Sequence, residues 1–534
     1  MPRNSNFSVR VNPIPILIAI LGMLGAVYVG AQLAKSPTFI LMAISGFTVF
    51  TMLIGMEKYV WLMVPFTIFM EGYIPFVPSS PYVWQVAVVV VAGVTVMRIC
   101  TKGGGLMSRW TLLDTFILLN ALVILQAAVR NPLGFYMLGG DAVGGKKYIE
   151  VACAITGFAI LSIQKVDIRL FRIAVLGMIV FVVGDSLCVA ITGFVPGLGV
   201  LVGKFYSNIG GVVSMFGDVT ATQYIESGLT ESRLSFLGQP AEYAGLIAVS
   251  FFRPITCLCP WYPLRFALFM FSLALTALSG FRSRIIWLGE IYAAGTIARK
   301  TYKDLFVGGV FGLVSLALVV MFGLTGSLPK GAQRSLSFLP IEVDQAQKAQ
   351  ADESANWRFD MWKTVLTEKG FIQDKIWGDG FTTKASEMAA LLQRQLGGFT
   401  DDYNFFLYSG TYHGFHVEAI RCVGVVGLVI ATATLIYMSI LSLKLINYFR
   451  GRREFSYVLF VTIPFIFLPL HSWLIFGSYR GEYMTVLLSA GMLKMLDNIR
   501  YMEIKAAAAA KPETGPLPDS DPGANPLPSP AIQR

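Results

Sequence analysis

TYHGFHVEAIRCVGVVG, residues 411–427, holds two of the three histidines of a 534-residue chain and runs directly into LVIATATLIYMSILSLKLINYF, a largely apolar stretch whose only charge is Lys444. An apolar run of this length is too long for a strand and long enough for a helix to cross the roughly 30 Å of a bilayer's hydrocarbon. The reading of the whole chain follows from it: a helix over 415–448, with scarce imidazoles gathered at its entrance.

Composition points to the same solvent. The chain is 55% hydrophobic, 13% aromatic and only 14% charged, with a mean hydropathy of +0.64, more apolar surface than a soluble globule of this size can bury. Unbroken apolar runs exclude a membrane β-barrel, whose strands alternate over about ten residues. The fold class is therefore all-α and polytopic, with about fourteen transmembrane helices of roughly 17 to 25 residues. They are expected near 13–34, 37–56, 59–77, 82–100, 110–128, 147–164, 169–194, 237–252, 266–281, 285–298, 305–327, 415–448, 456–476 and 481–498. The first follows Arg3 and Arg10 but is too long for a signal-peptide core, so it reads as a retained anchor.

Basic residues in short connections set orientation. Lys58, then Arg98, Lys102 and Arg109, then Lys165 and Arg169, Arg253 and Arg265, Arg299, Lys300 and Lys303, and finally Lys444, Arg450, Arg452 and Arg453 fall on one side. That places both termini in the cytoplasm and assigns the net charge of +10 to topology rather than to nucleic-acid binding. The organisation is a membrane domain over 1–327, a large outer loop over 328–414, a second membrane block over 415–498, and a Pro-rich disordered tail over 499–534. Within the loop, SANWRFDMWKTVLTEKGFIQDKIWGDGF and SEMAALLQRQLGGF read as short amphipathic helices forming a cap.

The six cysteines lie in predicted helices or a cytoplasmic connection, which argues against a disulfide framework, and Cys257-x-Cys259 lacks histidine partners for a metal. GGDAVGGKK, 139–147, resembles a phosphate-binding loop in spacing, but Lys147 stands where the metal-holding hydroxyl belongs. It reads as a flexible loop in which Lys146 or Lys147 can meet a lipid phosphate.

Polar groups at the edges of apolar runs are costly, so their placement is informative. Under this topology Glu71, Glu150, Asp185, Glu242, Arg282, Arg284, Glu418, Arg421, His471 and Arg480 lie at outer helix ends, with His413, His416 and Arg358 on the same side. Singly, each reads as an ion pair or a snorkelling side chain. Together, histidines and arginines on one aqueous face suit an anionic substrate, since a guanidinium forks onto phosphate oxygens.

At this point the chain resembles the superfamily of O-antigen ligases and O-antigen polymerases. The family pattern of His, a small polar residue, nine residues and Gly-x-x-Gly is matched by His413, Gly414, FHVEAIRCV, Gly424 and Gly427, with glycine in place of the polar second residue. Arg284 in LSGFRSRIIW, with Arg282 its close competitor, and Arg358 in WRFDMW match the family arginines, and IWGDGF matches its Gly-x-Gly segment. The likeness covers about 230–440. It implies a bacterial inner-membrane glycosyltransferase that moves a glycan from undecaprenyl diphosphate to a glycan, lipid A-core or protein acceptor at the periplasmic face, inverting and without metal or other cofactor. His413 would act as base, Arg284, Arg358 or Arg282 would hold the diphosphate, and His416, Arg233, Lys146 and Arg421 would support. Gly424 and Gly427 are expected to let the helix pack closely on a neighbour. The competing reading is a transporter or flippase of lipid-linked or anionic glycans, which calls for broken helices and a site near the bilayer midplane.

Overall fold

The computed structural model describes residues 58–75, 80–102, 109–131, 133–134, 142–195, 235–323, 345–368, 370–384, 406–407, 409–474 and 477–509, with residues 202, 206, 333, 336 and 339. Their regular elements are helices and one antiparallel ladder of two residues a side. In chain order the elements are α1 (Met63–Thr67), α2 (Val83–Lys102), α3 (Leu112–Arg130), β1 (Ala142–Val143), α4 (Lys146–Ile163), α5 (Ile168–Phe194), α6 (Gly238–Phe251), α7 (Pro263–Leu278), α8 (Arg282–Arg299), α9 (Tyr302–Gly323), α10 (Gln345–Thr367), β2 (Thr383–Lys384), α11 (Phe415–Phe449), α12 (Phe455–Ile466), α13 (Leu468–Leu474) and α14 (Glu482–Ala509).

Six helical spans among the described residues are long and apolar enough to cross a membrane: Val83–Thr101, Leu112–Arg130, Ile168–Ile191, Tyr302–Phe322, Phe415–Phe449 and Phe455–Leu474, the last made of α12 and α13 together. The first two expected helices, 13–34 and 37–56, lie outside the described residues, as do Arg233, most of 195–236 and all of SEMAALLQRQLGGF, 386–399. Three expectations are corrected. The stretch 59–77 contains only α1 after a turn of 3-10 helix. Beyond it the chain runs extended and Tyr73 bridges Tyr82, because Ile74 precedes Pro75 and a residue before proline is pushed out of the helical region. The stretch 456–476 is two helices, α12 and α13, with Pro464 at the end of the first. The tail is helical as far as Ala509, since Ala506 to Ala509 are the strongest helix formers available; residues 510–534 lie outside the described set.

Local chemistry fixes the helix starts. Thr111 and Asp114 form a capping box on α3, with the Thr111 N–H donating to the Asp114 carboxylate at 2.6 Å. Asp167 caps α5 by accepting from the Leu170 N–H at 2.9 Å. Helices α3, α4, α11, α12 and α14 then pack around one apolar core that includes Leu161, Leu435, Phe460, Leu488 and Met492. Polar side chains bind them across that core, where no water competes for their hydrogen bonds. Asn120 on α3 donates to Thr434 on α11 at 2.8 Å and accepts from Tyr483 on α14 at 2.9 Å. Lys494 on α14 is fully buried and donates to the Arg109 carbonyl, the Thr111 hydroxyl and the Asp114 carboxylate.

The loop over 328–414 contributes to a second small core, in which Met361 and Val365 of α10 pack with Ile372, Leu407, Tyr412 and Val417 of α11. A second tie comes from the glycine-rich stretch, which is an ordered ladder here: Ala142 and Val143 pair with Lys384 and Thr383.

Candidate functional site

Helix α11 is broken. Gly424 has φ 72° and ψ −179°, a conformation outside the helix on both sides of which α-geometry continues. Into this break enters the loop segment KIWGDG, 375–380. The Asp379 and Gly380 N–H groups donate to the Arg421 and Cys422 carbonyls at 2.7 and 3.1 Å, while the Val425 and Val426 N–H groups donate to the Lys375 and Ile376 carbonyls at 2.8 and 3.3 Å. The backbone groups freed by the break are thus paired with the loop, as burial demands. A Cβ on Gly424 would stand 2.0 Å from the Ile376 carbonyl oxygen. Its expected part in helix packing is therefore replaced by this docking role, while Gly427 does face a neighbouring helix, its added Cβ lying 3.0 Å from Val123 on α3. The portion below the break, 425–449, rises about 37 Å at about 1.5 Å per residue, enough to span roughly 30 Å. The upper turns of α11 are left free to carry a site.

The loop segment is stiffened from within. Asp379 accepts from the Gln373 and Asp374 N–H groups at 2.7 and 2.9 Å, and Asp374 accepts from those of Ile376 and Trp377 at 3.0 Å each. Asp374 also pairs with Arg130 at the end of α3, at 2.5 Å. The Arg130 guanidinium, followed by the Trp377 N–H, holds the Asp374 carboxyl below the ordinary carboxylate range.

His413 immediately precedes Gly414, the N-cap of α11, and has φ 49°, a left-handed conformation that non-glycine residues seldom adopt. Its imidazole sits edge-on to Phe406 and Trp357, at ring-centroid distances of 4.7 and 6.1 Å, and the Arg358 guanidinium lies 5.2 Å from that same Trp357 ring. Histidine and loop arginine therefore share one indole. Gly414 has no space for a side chain: a Cβ would meet the Trp362 ring at 2.7 Å, and the Trp362 N–H donates to the Tyr412 carbonyl at 2.7 Å. The indole takes the volume that the family's polar residue would need. The His416 ring lies between Trp362, edge-on at 4.8 Å, and Trp473 of α13, stacked at 5.6 Å.

Beneath His413 is a buried polar knot. The Glu418 carboxylate, fully buried, accepts from the His413 N–H at 3.2 Å, the Ser478 hydroxyl at 2.8 Å and the Arg480 N–H at 3.0 Å. The Arg480 side chain donates to the Ser409 and Phe381 carbonyls at 2.5 and 2.9 Å, and burial lowers its pKa from the arginine value. Arg421 donates to the Thr382 carbonyl at 3.1 Å and lies against Gly410. Both arginines fasten the loop to the helix ends.

Arg284 belongs to a second, adjoining group. It lies 3.0 Å from the Glu242 carboxylate, without hydrogen-bond alignment, and covers Gly238 at the start of α6. Glu71, Asp185, Glu242 and Glu482 lie within electrostatic reach of one another or of Arg284. Asp185 accepts from Gln239, from Tyr206 and from the Glu71 N–H. His471 on α13 pairs with Glu290 on α8 at 2.9 Å. Helix α13 joins the two groups, carrying His471 to the acids and, two residues on, Trp473 to His416. Arg282 opens the same helix as Arg284 and is half-buried. Lys146 lies apart, donating to the Ser80 carbonyl at 2.9 Å over the Tyr82 ring.

No protein-family model matches the chain, and no curated protein matches it. Glu290, Glu482, Ser478, Asp374 and the paired indoles Trp362 and Trp473 are additions of the fold. Glu290 alone was signalled in sequence, as a lone acid inside the apolar helix IIWLGEIYAAG.

Proposed function

We propose that the chain is a membrane glycosyltransferase that moves a glycan from a polyprenyl diphosphate, undecaprenyl diphosphate in a bacterial inner membrane, to an acceptor at the periplasmic face, with both termini cytoplasmic. The observation that supports this best is spatial: the loop and helix stretches carrying the family resemblance meet, WRFDMW on His413 through Trp357, and IWGDGF on the Gly424 break. In this reading His413 draws the proton from an acceptor hydroxyl as it attacks the anomeric carbon. The bond from that carbon to the diphosphate oxygen breaks, and the lipid diphosphate leaves as an anion. Arg358 and Arg284 stabilise the charge growing on it, with Arg282 beside them. His416 acts through packing, and Arg421 through the loop. Arg233 and Lys146 remain supporting candidates for donor or lipid phosphate.

The test is transfer from a polyprenyl-diphosphate-linked oligosaccharide in reconstituted membranes, in chelator and without nucleotide. His413→Ala should lower the chemical step about 10² to 10⁴-fold while donor binding persists. Normal transfer by His413→Ala, or a requirement for divalent metal, overturns the proposal.

A transporter or flippase is the second reading, and the broken helices favour it: α11 at Gly424 and α12–α13 after Pro464 are discontinuous, as carriers' site helices often are. Movement of intact lipid-linked glycan across vesicles, without any new glycosidic bond, would decide for it.

A further inference from the structure

We infer that Glu418 is a positioning residue for His413, setting the backbone from which the imidazole projects; the inference rests on the proposed role of His413 as base. A carboxylate offers two oxygens and only accepts. Here Oε1 takes the His413 N–H, and Oε2 takes the Ser478 hydroxyl and the Arg480 N–H. The histidine stands at a left-handed turn between the loop and α11, and its N–H bond to Glu418 ties that turn to the helix. Through Arg480 the same knot reaches the Ser409 and Phe381 carbonyls, so the loop's two returning strands of chain and the helix entrance are registered on one buried acid. Glu418 itself is fully buried and lies one turn inside α11. It acts on the reaction only by fixing where the His413 ring meets the stacked pair Phe406 and Trp357.

A glutamine at 418 keeps the shape but replaces one acceptor oxygen with a donor, setting N–H against N–H at either His413 or Ser478–Arg480. A displacement of about 1 Å in a base costs about 10²-fold in rate. Full-length protein in liposomes, given a polyprenyl-diphosphate-linked oligosaccharide and a saccharide acceptor, should therefore show Glu418→Gln lowering kcat about 10 to 10²-fold with donor KM unchanged. A double-mutant cycle separates positioning from general stability. In a His413→Ala background, Glu418→Gln should leave the residual rate where it is, because its only route to the reaction is gone. A further loss in that background, or a fall in donor affinity matching the fall in kcat, overturns the inference, as does a fully active Glu418→Gln. If Glu418→Gln does not fold, Ser478→Ala, which removes one donor from the same carboxylate, goes through the same cycle, and additivity with His413→Ala is the overturning result. If His413→Ala is itself fully active, it is the base reading that fails, a result distinct from any of these.

Discussion

The Ile376 carbonyl occupies the position in which a side chain on Gly424 would begin, 2.0 Å from that Cβ. A loop and a helix thus share one volume, and glycine is the residue that permits it. Gly424→Ala should shut the break or expel the loop. This backbone, positive in φ but extended in ψ, alone costs roughly 1 to 3 kcal/mol for a non-glycine residue, before the clash with the carbonyl is counted. Thermal unfolding in detergent should show a clear fall, and limited proteolysis should cut near Trp377. A Gly424→Ala protein as stable and protease-resistant as the parent would contradict the docking.

The Arg130–Asp374 pair gives the loop an acid-sensitive fastening. The Asp374 carboxyl titrates below its ordinary value because Arg130 and two backbone N–H groups bind its charged form. A depressed folded value means that the stabilisation is complete above the unfolded value of about 3.9. It is lost as pH falls through the folded value. The pair is partly exposed, at 43% and 31% for the two side chains, so it contributes at most about 1 kcal/mol. The protection factors of the Ile376 and Trp377 amides, exchange rates corrected for the intrinsic pH dependence, should fall on acidification below about pH 4, and Asp374→Asn should remove that fall while lowering protection at neutral pH.

His416 is expected to matter as a ring rather than as an imidazole. His416→Phe preserves the stack between Trp362 and Trp473 and should keep transfer within a few-fold. His416→Ala opens a gap beside Trp473 and should lower stability by about 1 to 3 kcal/mol. Loss of transfer in a well-folded His416→Phe would mean that the sequence pattern belongs to the second histidine.

Glu242, 3.0 Å from Arg284 Nη1, competes with a phosphate for that guanidinium's charge. Glu242→Gln should therefore tighten donor binding by roughly five-fold, the equivalent of about 1 kcal/mol released from a competing ion pair. Weaker binding in that variant would show that Glu242 orients the guanidinium instead.

A reporter fused near residue 345 should behave as extracytoplasmic and one near 453 as cytoplasmic, from the basic residues at Arg450, Arg452 and Arg453. A cytoplasmic signal at 345 would put His413 on the wrong face for periplasmic transfer.

The helices that sequence reads well are those whose apolar run is bounded by polar residues. The expected 110–128, 169–194 and 415–448 are found as Leu112–Arg130, Ile168–Phe194 and Phe415–Phe449. The break at Gly424 was hidden because VGVVG is apolar and its cause, Ile376, lies in another part of the chain. The gathering of outer-end charges was legible as a set, but the division into an arginine–acid group and a histidine–indole group was not, since it depends on α13 carrying His471 and Trp473 to different neighbours. Lys494 gave no sign of the carboxylate it would bury against.

The polar ties across the core also impose an order on synthesis. Lys494 with Asp114, Tyr483 with Asn120 and Asn498 with Ser162 join residues 380, 363 and 336 positions apart. At about 5 to 20 residues per second, α3 and α4 wait roughly 20 to 75 s for α14 to emerge. During that interval Asn120 and Asp114 face an incomplete bundle and need a temporary partner, an insertase or a neighbouring helix. A chain halted before residue 482 can join α3 to α11 through Asn120 and Thr434, but the contacts of Lys494, Tyr483 and Asn498 form only once α14 has been made.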